Sequence, residues 1–327
     1  MDATVDHTCG RAQLMEGGGM PGLSRVGTLK LAIVLGLVLA WPLATASASN
    51  SPPGALQSCP ASRVRTATSL ADAAKVIACD TSNQRLLIVS DYHGSNEIPD
   101  FVAKLLTDAS ALRPVRLGLE MEVFEQKPIQ AYMASHGTEA DRAALLHDGF
   151  WSMGQGRTSQ AVVRLIEQAR KLREQGRDVD VFTTVPEHPS GTAISQAGGD
   201  NAYRSEAMAQ AIHSQLQQGA ARQLVIAFMG SAHSAYTGPD RGKDATVTDR
   251  LLADSPYLVN IGLHGGSAWG CQAHGCSPHA LQSEAVHSGD PGVLDKSPIR
   301  PGEPVQVTLQ LPPLTPSPPA KEMKPKS

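Results

Sequence analysis

Two histidines and a glutamate in this chain each lie at or just beyond the end of a short apolar run. His93 ends the segment RLLIVSDYH, His233 ends QLVIAFMGSAH, and Glu120 ends PVRLGLE. Continuous apolar runs are typical of buried parallel strands, and open α/β sheets bind ligands beyond the carboxyl ends of their strands. We therefore expect these three side chains to line one cleft.

A second carboxylate, Asp91, lies two residues before His93. An imidazole titrates near neutral pH, and a neighbouring carboxylate can orient it. Such a set can bind a metal, activate water or transfer a proton. The residues themselves leave all three chemistries open. Glu122 follows Glu120 by two positions, and we expect Glu122 to be the more solvated of the two.

The elements that must position these groups alternate between strand and helix. Apolar spacing and the Pro and Gly breaks predict helices over 69–78, 97–109, 159–174 and 204–219, and strands over 85–90, 115–120, 179–184, 223–229 and 257–262, with a loop over 186–200. This alternation predicts an α/β fold with a mostly parallel central sheet flanked by helices.

Residues 124–158 have helical spacing and are too long for a plain crossover connection. We expect a small helical insertion over the carboxyl edge of the sheet, where lids are often found. A helix that only packs against the body is an equal alternative. Trp151 and Arg157 lie where the insertion rejoins the body, and they suit either ligand binding or a packing corner.

The first 48 residues have the order of a secretory signal peptide. Basic residues precede an apolar stretch, and the small residues Ala46-Ser-Ala48 follow it. The alternative is a membrane anchor, but a span needs about 20 apolar residues and Pro42 interrupts a shorter stretch. We expect cleavage after Ala48 and export to the periplasm or the medium.

Four cysteines remain once the leader is removed. Export favours disulfides, and the simplest pairing is Cys59 with Cys79 and Cys271 with Cys276. The alternative is a zinc site formed by the second pair together with His274 and His279, but its spacing is short for a tetrahedral site.

The remaining organisation follows from composition. We expect a lead-in over 49–84, an α/β domain over 85–265, a cysteine-containing loop region over 266–300 and a flexible Pro-rich tail over 301–327. The 327 residues have a formal net charge of −3, and nothing in that balance points to nucleic acid.

Four motifs together resemble a known superfamily. They are Asp91-Tyr-His93, Gly118-Leu-Glu120-Met, Arg204-Ser-Glu-Ala-Met-Ala209 and Gly230-Ser-Ala-His233. In this order they resemble the erythromycin esterase, ChaN-like haem-binding and TIKI/TraB superfamily, and most of all the ChaN-like domains. The resemblance covers about residues 85–265. Ser90 and Asp91 stand where erythromycin esterases have Gly and Glu.

The resemblance implies two functions, and the Ser90-Asp91 departure leaves a third possibility, a member that keeps the fold and has lost activity. The first is an exported hydrolase, an esterase or metallopeptidase-like enzyme, acting on a small-molecule or peptide substrate through Asp91, His93, Glu120, Arg204 and His233. In that case His93, Glu120 and His233 are also candidate ligands of a divalent metal ion, and Arg204 supplies positive charge. The alternative is a haem- or iron-binding protein of the ChaN-like type without catalytic activity.

Overall fold

The structure is a computed structural model, and the part of the chain that it describes begins at Cys59. The described residues are 59, 67, 69–147, 149–187, 190–238, 242–272, 275–283, 290–297 and 300–321. The chain divides into two units, residues 1–51 and 52–327, and all described residues belong to the second. The predicted signal peptide and most of the predicted lead-in lie outside the described residues.

The described residues form nine α-helices, nine strands and several short 3₁₀ turns. The helices are α1 (Leu70–Asp80), α2 (Glu97–Ser110), α3 (Gln126–Met133), α4 (Glu139–Leu145), α5 (Gln160–Glu174), α6 (Gly191–Ala197), α7 (Asp200–Gln218), α8 (Ser231–Ser234) and α9 (Val247–Arg250). The strands are β1 (Leu86–Asp91), β2 (Val115–Glu122), β3 (Val179–Val185), β4 (Leu224–Gly230), β5 (Tyr257–Gly262), β6 (Ser267–Gln272), β7 (Gly275–Ala280), β8 (Leu294–Lys296) and β9 (Val305–Gln310). None of these helices is long and apolar enough to cross a lipid bilayer.

Seven strands form the central sheet, in the order β3-β2-β4-β1-β5-β9-β8. Every neighbouring pair is parallel except β8 and β9, which are antiparallel. The predicted fold class, a mostly parallel central sheet flanked by helices, is confirmed.

The sheet is buried because apolar helices cover both faces. Every residue of β1 and of β4 is buried, which explains why these strands read as continuous apolar runs. One face packs against α1, α2 and α5. The other face packs against α7 and α9. The central strands therefore have only their ends free for function.

The helical insertion is present, but its first part lies along the sheet's lateral edge, away from the carboxyl ends. Helix α3 runs beside the edge strand β3, where Gln126 Nε2 and Gln130 Nε2 both donate to the carbonyl of Val181, at 3.1 and 2.7 Å. Gln126 also accepts from the amide of Thr183 at 2.8 Å. These amides satisfy backbone groups that an edge strand would otherwise expose.

The predicted loop over 186–200 is wrong in part, because α6 forms within it. Ser190 caps this helix by accepting a hydrogen bond from the amide of Ala193. Helix α7 then begins at Asp200 rather than at Arg204. The Pro, Ser and Gly content of the segment predicts a loop, but the N-terminal cap stabilises a helix there.

The strand predicted at 257–262 is not the last in the chain, because four further strands follow it in the described part of the chain. Strand β9 pairs in parallel with β5 along its whole length, and β8 pairs with β9. The predicted loop region over 266–300 contains the antiparallel hairpin β6–β7. A sequence window around either hairpin strand contains Gly, Ser and His rather than an apolar run, so it gives no strand signal.

The predicted flexible tail over 301–327 is wrong for its described residues. Besides β9, residues 314–321 form a segment that we call the C-terminal strap. Its backbone bonds to the body, with Ser317 N donating to Gly94 O at 2.7 Å and Ala320 N donating to Thr158 O at 2.8 Å. Leu314 is buried. Pro-rich composition suggests a loose chain, but here the prolines alternate with residues whose amides find partners.

Both predicted disulfides are present. Cys59 is linked to Cys79 near the end of α1, and Cys271 is linked to Cys276 directly across the β6–β7 hairpin. The zinc alternative loses its two thiolates, because a cysteine in a disulfide cannot ligate zinc as a thiolate. His274 lies outside the described residues.

Candidate active site

The ends of three adjacent strands bring the predicted histidines and glutamate together. Strand β4 lies between β1 and β2, with Asp91 level with Gly230 and Leu119 level with Phe228. Because the three strands are parallel and in register, their carboxyl ends meet at one edge. Asp91, His93, Glu120 and His233 form a cluster there, which we call the His/Glu cluster.

His93 lies between two carboxylates. Its Nδ1 is 2.7 Å from Asp91 Oδ2, and its Nε2 is 3.3 Å from Glu120 Oε2. Burial by itself would lower the pKa of His93, but the negative charges of Glu120 and Asp91 outweigh burial and raise the pKa to about 10. The imidazole is therefore positively charged at neutral pH, and 31% of its side chain remains exposed.

Glu120 is the carboxylate that the cluster shares. Its Oε2 accepts a hydrogen bond from the amide of Gly230 at 2.7 Å, and its Oε1 is 3.9 Å from His233 Nε2. Burial would raise the pKa of Glu120, but the charge and hydrogen bond of His93, with the charge of Arg157, lower it to about 2. Glu120 is thus ionised throughout the physiological range.

His233 has the opposite protonation preference. It is buried in the short helix α8, and its Nδ1 is 2.9 Å from Ser205 Oγ on α7. Burial lowers the pKa of His233 below its usual 6.5, and the positive charges of His93, Arg204 and Arg157 lower it further against the opposing effect of Glu120. At neutral pH this imidazole is uncharged, so it can accept a proton.

The guanidinium group that contacts the cluster belongs to Arg157 rather than to Arg204. Arg157 Nη1 is 3.8 Å from Glu120 Oε1 and also donates to the Glu120 carbonyl at 3.3 Å. Arg204 donates to Asp200 at 2.8 Å, one turn earlier on α7. It therefore acts on the cluster only through its charge at His233.

Glu122 is buried, which contradicts the expectation that it is the solvated member of the pair. Only 4% of the residue is exposed, and its Oε1 is 3.6 Å from Arg157 Nη2. The register of β2 against β3 shifts between Leu119 and Glu122. That irregularity keeps Glu122 inside, beside the same arginine that contacts Glu120.

Trp151 lies in the interior, as the packing alternative expects, and it has no exposed surface for a ligand. Its side chain is fully buried, and its Nε1 donates to Glu125 Oε2 at 3.0 Å. The ring also packs edge-on against Phe150. Of the two residues predicted to contact a ligand, only Arg157 reaches the His/Glu cluster.

The backbone that follows His93 is fixed by contacts that the sequence did not reveal. Gly94 has φ of +86°, and a Cβ there would meet the carbonyl oxygen of Trp269 at 2.0 Å, so only glycine fits. The Gly94 carbonyl accepts from the amides of both Trp269 and Ser317, at 2.9 and 2.7 Å. The Trp269 indole also donates to Gly154 O at 2.9 Å. The hairpin thereby joins the two loops that carry His93 and Arg157.

The described arrangement does not fit a metal site. Both ring nitrogens of His93 face carboxylates, and Glu120 Oε2 is already engaged by Gly230 and His93. No group of three or more His, Cys, Asp or Glu side chains in the described ranges has the geometry to hold a metal ion. A cavity of about 10 Å³ borders Asp91, His93, Glu120 and Arg157, which is about the size of one water molecule.

Comparisons with known proteins give low similarity. No family model matches the chain, and no curated protein matches it significantly. A solved structure of bacterial protein toxins is 19% identical with a TM-score of 0.41, covering 57% of this chain and 36% of that chain. The type III effector HopBA1 is 14% identical with a TM-score of 0.39, covering 68% and 96%.

A third similar structure is RRSP, a MARTX toxin effector domain from Vibrio vulnificus CMCP6. It is 18% identical with a TM-score of 0.38, covering 67% of this chain and 38% of that chain. This chain thus spans little more than a third of the length of two of these structures. At such TM-scores the similarities support no statement about activity.

Proposed function

We propose that this protein is an exported hydrolase that cleaves an ester or a peptide bond by acid–base chemistry at the His/Glu cluster. One observation carries the proposal: two histidines lie on either side of Glu120, one paired with a second carboxylate and the other with a neutral hydroxyl. In these surroundings the two pKa values are displaced in opposite directions. Titratable groups displaced apart in this way are the usual signature of an acid–base pair.

His233 is the proposed general base. The hydrogen bond between His233 Nδ1 and Ser205 Oγ fixes the orientation of the ring. In the tautomer whose Nδ1 carries the proton and donates to Ser205, Nε2 is the nitrogen that can accept a proton. Nε2 takes the proton of a water molecule as the water oxygen attacks the substrate carbonyl. When the intermediate collapses, the same nitrogen returns the proton to the leaving alcohol or amine.

His93 is the proposed source of positive charge for the oxyanion. Its partly exposed imidazolium lies beside Glu120 and is held in place by Asp91. A fixed cation at a site shielded from water stabilises negative charge as it develops on the carbonyl oxygen. Arg157 adds a second positive charge on the other side of Glu120.

Glu120 lies between the two imidazoles and raises the pKa of both, so their other neighbours set their charge states apart. Glu120 does not itself change charge. Because the pKa of Glu120 is low, a proton taken up by His233 does not pass on to Glu120 at neutral pH. This arrangement requires no metal ion, in agreement with the poor fit of the described ligands to one. We expect turnover to survive treatment with a chelator.

Export and superfamily membership are part of the same proposal. Two disulfides favour an oxidising compartment, which supports export together with the leader-like sequence. Three of the four motifs behind the resemblance to the erythromycin esterase, ChaN-like and TIKI/TraB superfamily contribute to the His/Glu cluster. The fourth supplies Ser205, which hydrogen-bonds to His233 Nδ1 at 2.9 Å, whereas Arg204 itself acts only through its charge.

The test is a screen of the mature protein on nitrophenyl esters and fluorogenic peptides, with and without chelator. We expect His233→Ala and Glu120→Gln to lower kcat/KM by about 10²- to 10⁴-fold and His93→Ala by about 10²-fold or more. The matched control is His213→Ala, because His213 is exposed on α7 and pairs with Asp254. Equal activity of His233→Ala and wild type on every cleaved substrate would reject the proposal.

A further inference from the structure

A second pocket lies in the helical insertion, and none of its lining residues belongs to the His/Glu cluster. It has a volume of about 520 Å³ and is formed by α3, α4 and the turns beside them. Sites for small organic ligands usually have volumes of about 300–1,000 Å³. The pocket is therefore large enough to hold a small molecule.

Most of the pocket surface is apolar. Phe124, Pro128, Ala131, Ala144 and Leu145 all border it. Phe124 is 46% exposed and is one of three large exposed hydrophobic residues in the described part of the chain. Its ring packs edge-on against Phe150 with centroids 6.3 Å apart. An exposed apolar surface of this kind, held in a concave site, is typical of ligand binding.

Several polar groups at the pocket are already engaged within the protein. The Tyr132 hydroxyl donates to Glu167 at 2.8 Å, and the Ser135 hydroxyl donates to the Tyr132 carbonyl at 2.8 Å. Asp141 accepts from both the amide and the hydroxyl of Thr138 at 2.9 Å. These groups stabilise α3 and α4, so they have little capacity left for a ligand.

Two polar groups remain for a ligand. Lys127 is exposed, and its ammonium has no hydrogen bond or ion pair with any described residue. His147 Nδ1 is 2.9 Å from the Ala144 carbonyl, so it must carry a proton there, which leaves Nε2 available. Lys321 donates to the His147 carbonyl at 2.9 Å. Lys127 is therefore the group at the pocket that can pair with an anionic ligand.

We propose that this pocket binds a small amphipathic carboxylate, such as a fatty acid. The aliphatic chain lies against Phe124, Ala131 and Leu145, and the carboxylate pairs with Lys127. The inference does not rest on the proposed hydrolase activity. It assigns the insertion a binding role of its own.

The test is a titration of the full mature chain with a fluorescent fatty acid, with oleate as competitor. We expect saturable binding that oleate displaces and oleyl alcohol displaces at least about 3-fold less well. Lys127→Gln should weaken binding about 3- to 10-fold, since a partly exposed ion pair contributes about 1 kcal/mol. The matched control is Lys75→Gln on α1, which removes the same charge from an exposed position outside the pocket lining.

A variant that fills the pocket tests ligand binding without removing a charge. Ala131 is exposed and borders the pocket, so Ala131→Trp should fill it without disturbing the core, and it should abolish binding with little change in thermal stability. Unchanged affinity in both Lys127→Gln and Ala131→Trp would overturn the proposal. So would a preference for hemin, seen as a shifted Soret band that His147→Ala removes while oleate fails to compete.

Discussion

The two imidazoles on either side of Glu120 differ in charge because their other neighbours differ. His93 has a second carboxylate, Asp91, at 2.7 Å, whereas His233 has a neutral hydroxyl, Ser205, at 2.9 Å. A carboxylate favours the charged ring and a buried neutral partner does not. The shorter side chain of Asp91, where erythromycin esterases have glutamate, still reaches the imidazole. Aspartate at position 91 is therefore compatible with an ion pair to His93.

The proposed roles of His233 as base and His93 as cation predict a broad bell-shaped dependence of activity on pH. Activity should rise as His233 loses its proton, and because its pKa is lowered from 6.5, the acid limb lies below pH 6.5. Activity should fall again as His93 loses its proton near pH 10. The measurement is kcat/KM from about pH 4 to pH 11 on any substrate found in the screen. An acid limb above pH 7 would contradict the assignment of His233 as the base.

Glu120→Gln should lower the pKa of His93 towards 6.5, because Glu120 is the largest cause that raises it. In the wild type, a raised folded-state pKa stabilises the protein fully below pH 6.5, and this stabilisation is lost as pH rises through about 10. The variant should lose most of that pH dependence. NMR titration of the His93 ring and denaturant unfolding at pH 6 and pH 10 measure both effects.

The control for that variant is Glu139→Gln, which removes a charge from an exposed position in the first turn of α4. It should leave the titration of His93 unchanged. A His93 pKa that stays near 10 in Glu120→Gln would mean that Asp91 alone sets it, contrary to the expected order of the two carboxylates.

At the scale of elements, the sequence predicts which side chains lie at the carboxyl end of each strand, because a single apolar run is enough to identify the strand. His93, Glu120 and His233 follow apolar runs, so their common edge could be inferred from parallel-sheet geometry. Ser205 and Trp269 could not be found, because each acts through a partner far away in the chain. Gly154 lies 115 residues from Trp269, and His233 lies 28 residues from Ser205. Ser205 lies inside the motif that begins at Arg204, but nothing in the local sequence shows that it contacts His233.

The β6–β7 hairpin should matter more for activity than for stability. Its disulfide closes a separation of only 5 residues, against 20 for Cys59 and Cys79, and loop entropy makes the longer closure the more stabilising, at about 3 kcal/mol. The hairpin, however, holds the loops of His93 and Arg157 through Trp269. We expect Cys271→Ser/Cys276→Ser to lower kcat more than Cys59→Ser/Cys79→Ser does, and to lower the free energy of unfolding less.

Both double variants should be measured for kcat on the same substrate and for unfolding in urea. The hairpin's role would be refuted if Cys271→Ser/Cys276→Ser kept full kcat. Trp269→Phe is the finer variant, since it keeps the backbone bond to Gly94 and removes only the indole bond to Gly154. A lost hydrogen bond of about 1 kcal/mol predicts about a 5-fold lower kcat, if the whole effect falls on turnover.

At the scale of the whole molecule, the C-terminal strap connects parts of the body that are far apart in the chain. Asn96 N donates to Thr315 O at 3.0 Å at the start of α2, and Gln160 N donates to Pro318 O at 2.8 Å at the start of α5. Between these contacts, Ser317 bonds to the carbonyl that follows His93. The end of the chain thus fixes the beginnings of two helices that flank the sheet and the backbone of the His/Glu cluster at once.

Truncation after Pro313 should therefore reduce both stability and turnover relative to a chain that ends at Lys321. The shorter chain loses the burial of Leu314, about 2 kcal/mol, together with the backbone bonds to Gly94, Thr158 and Gln160. We expect Tm to fall by about 5–10 °C and kcat to fall further than Tm alone would explain at 25 °C. Calorimetry and initial rates on both truncated chains test this. Equal kcat in the two would show that the hairpin alone fixes Gly94, because the Trp269 amide would then be sufficient to hold that carbonyl.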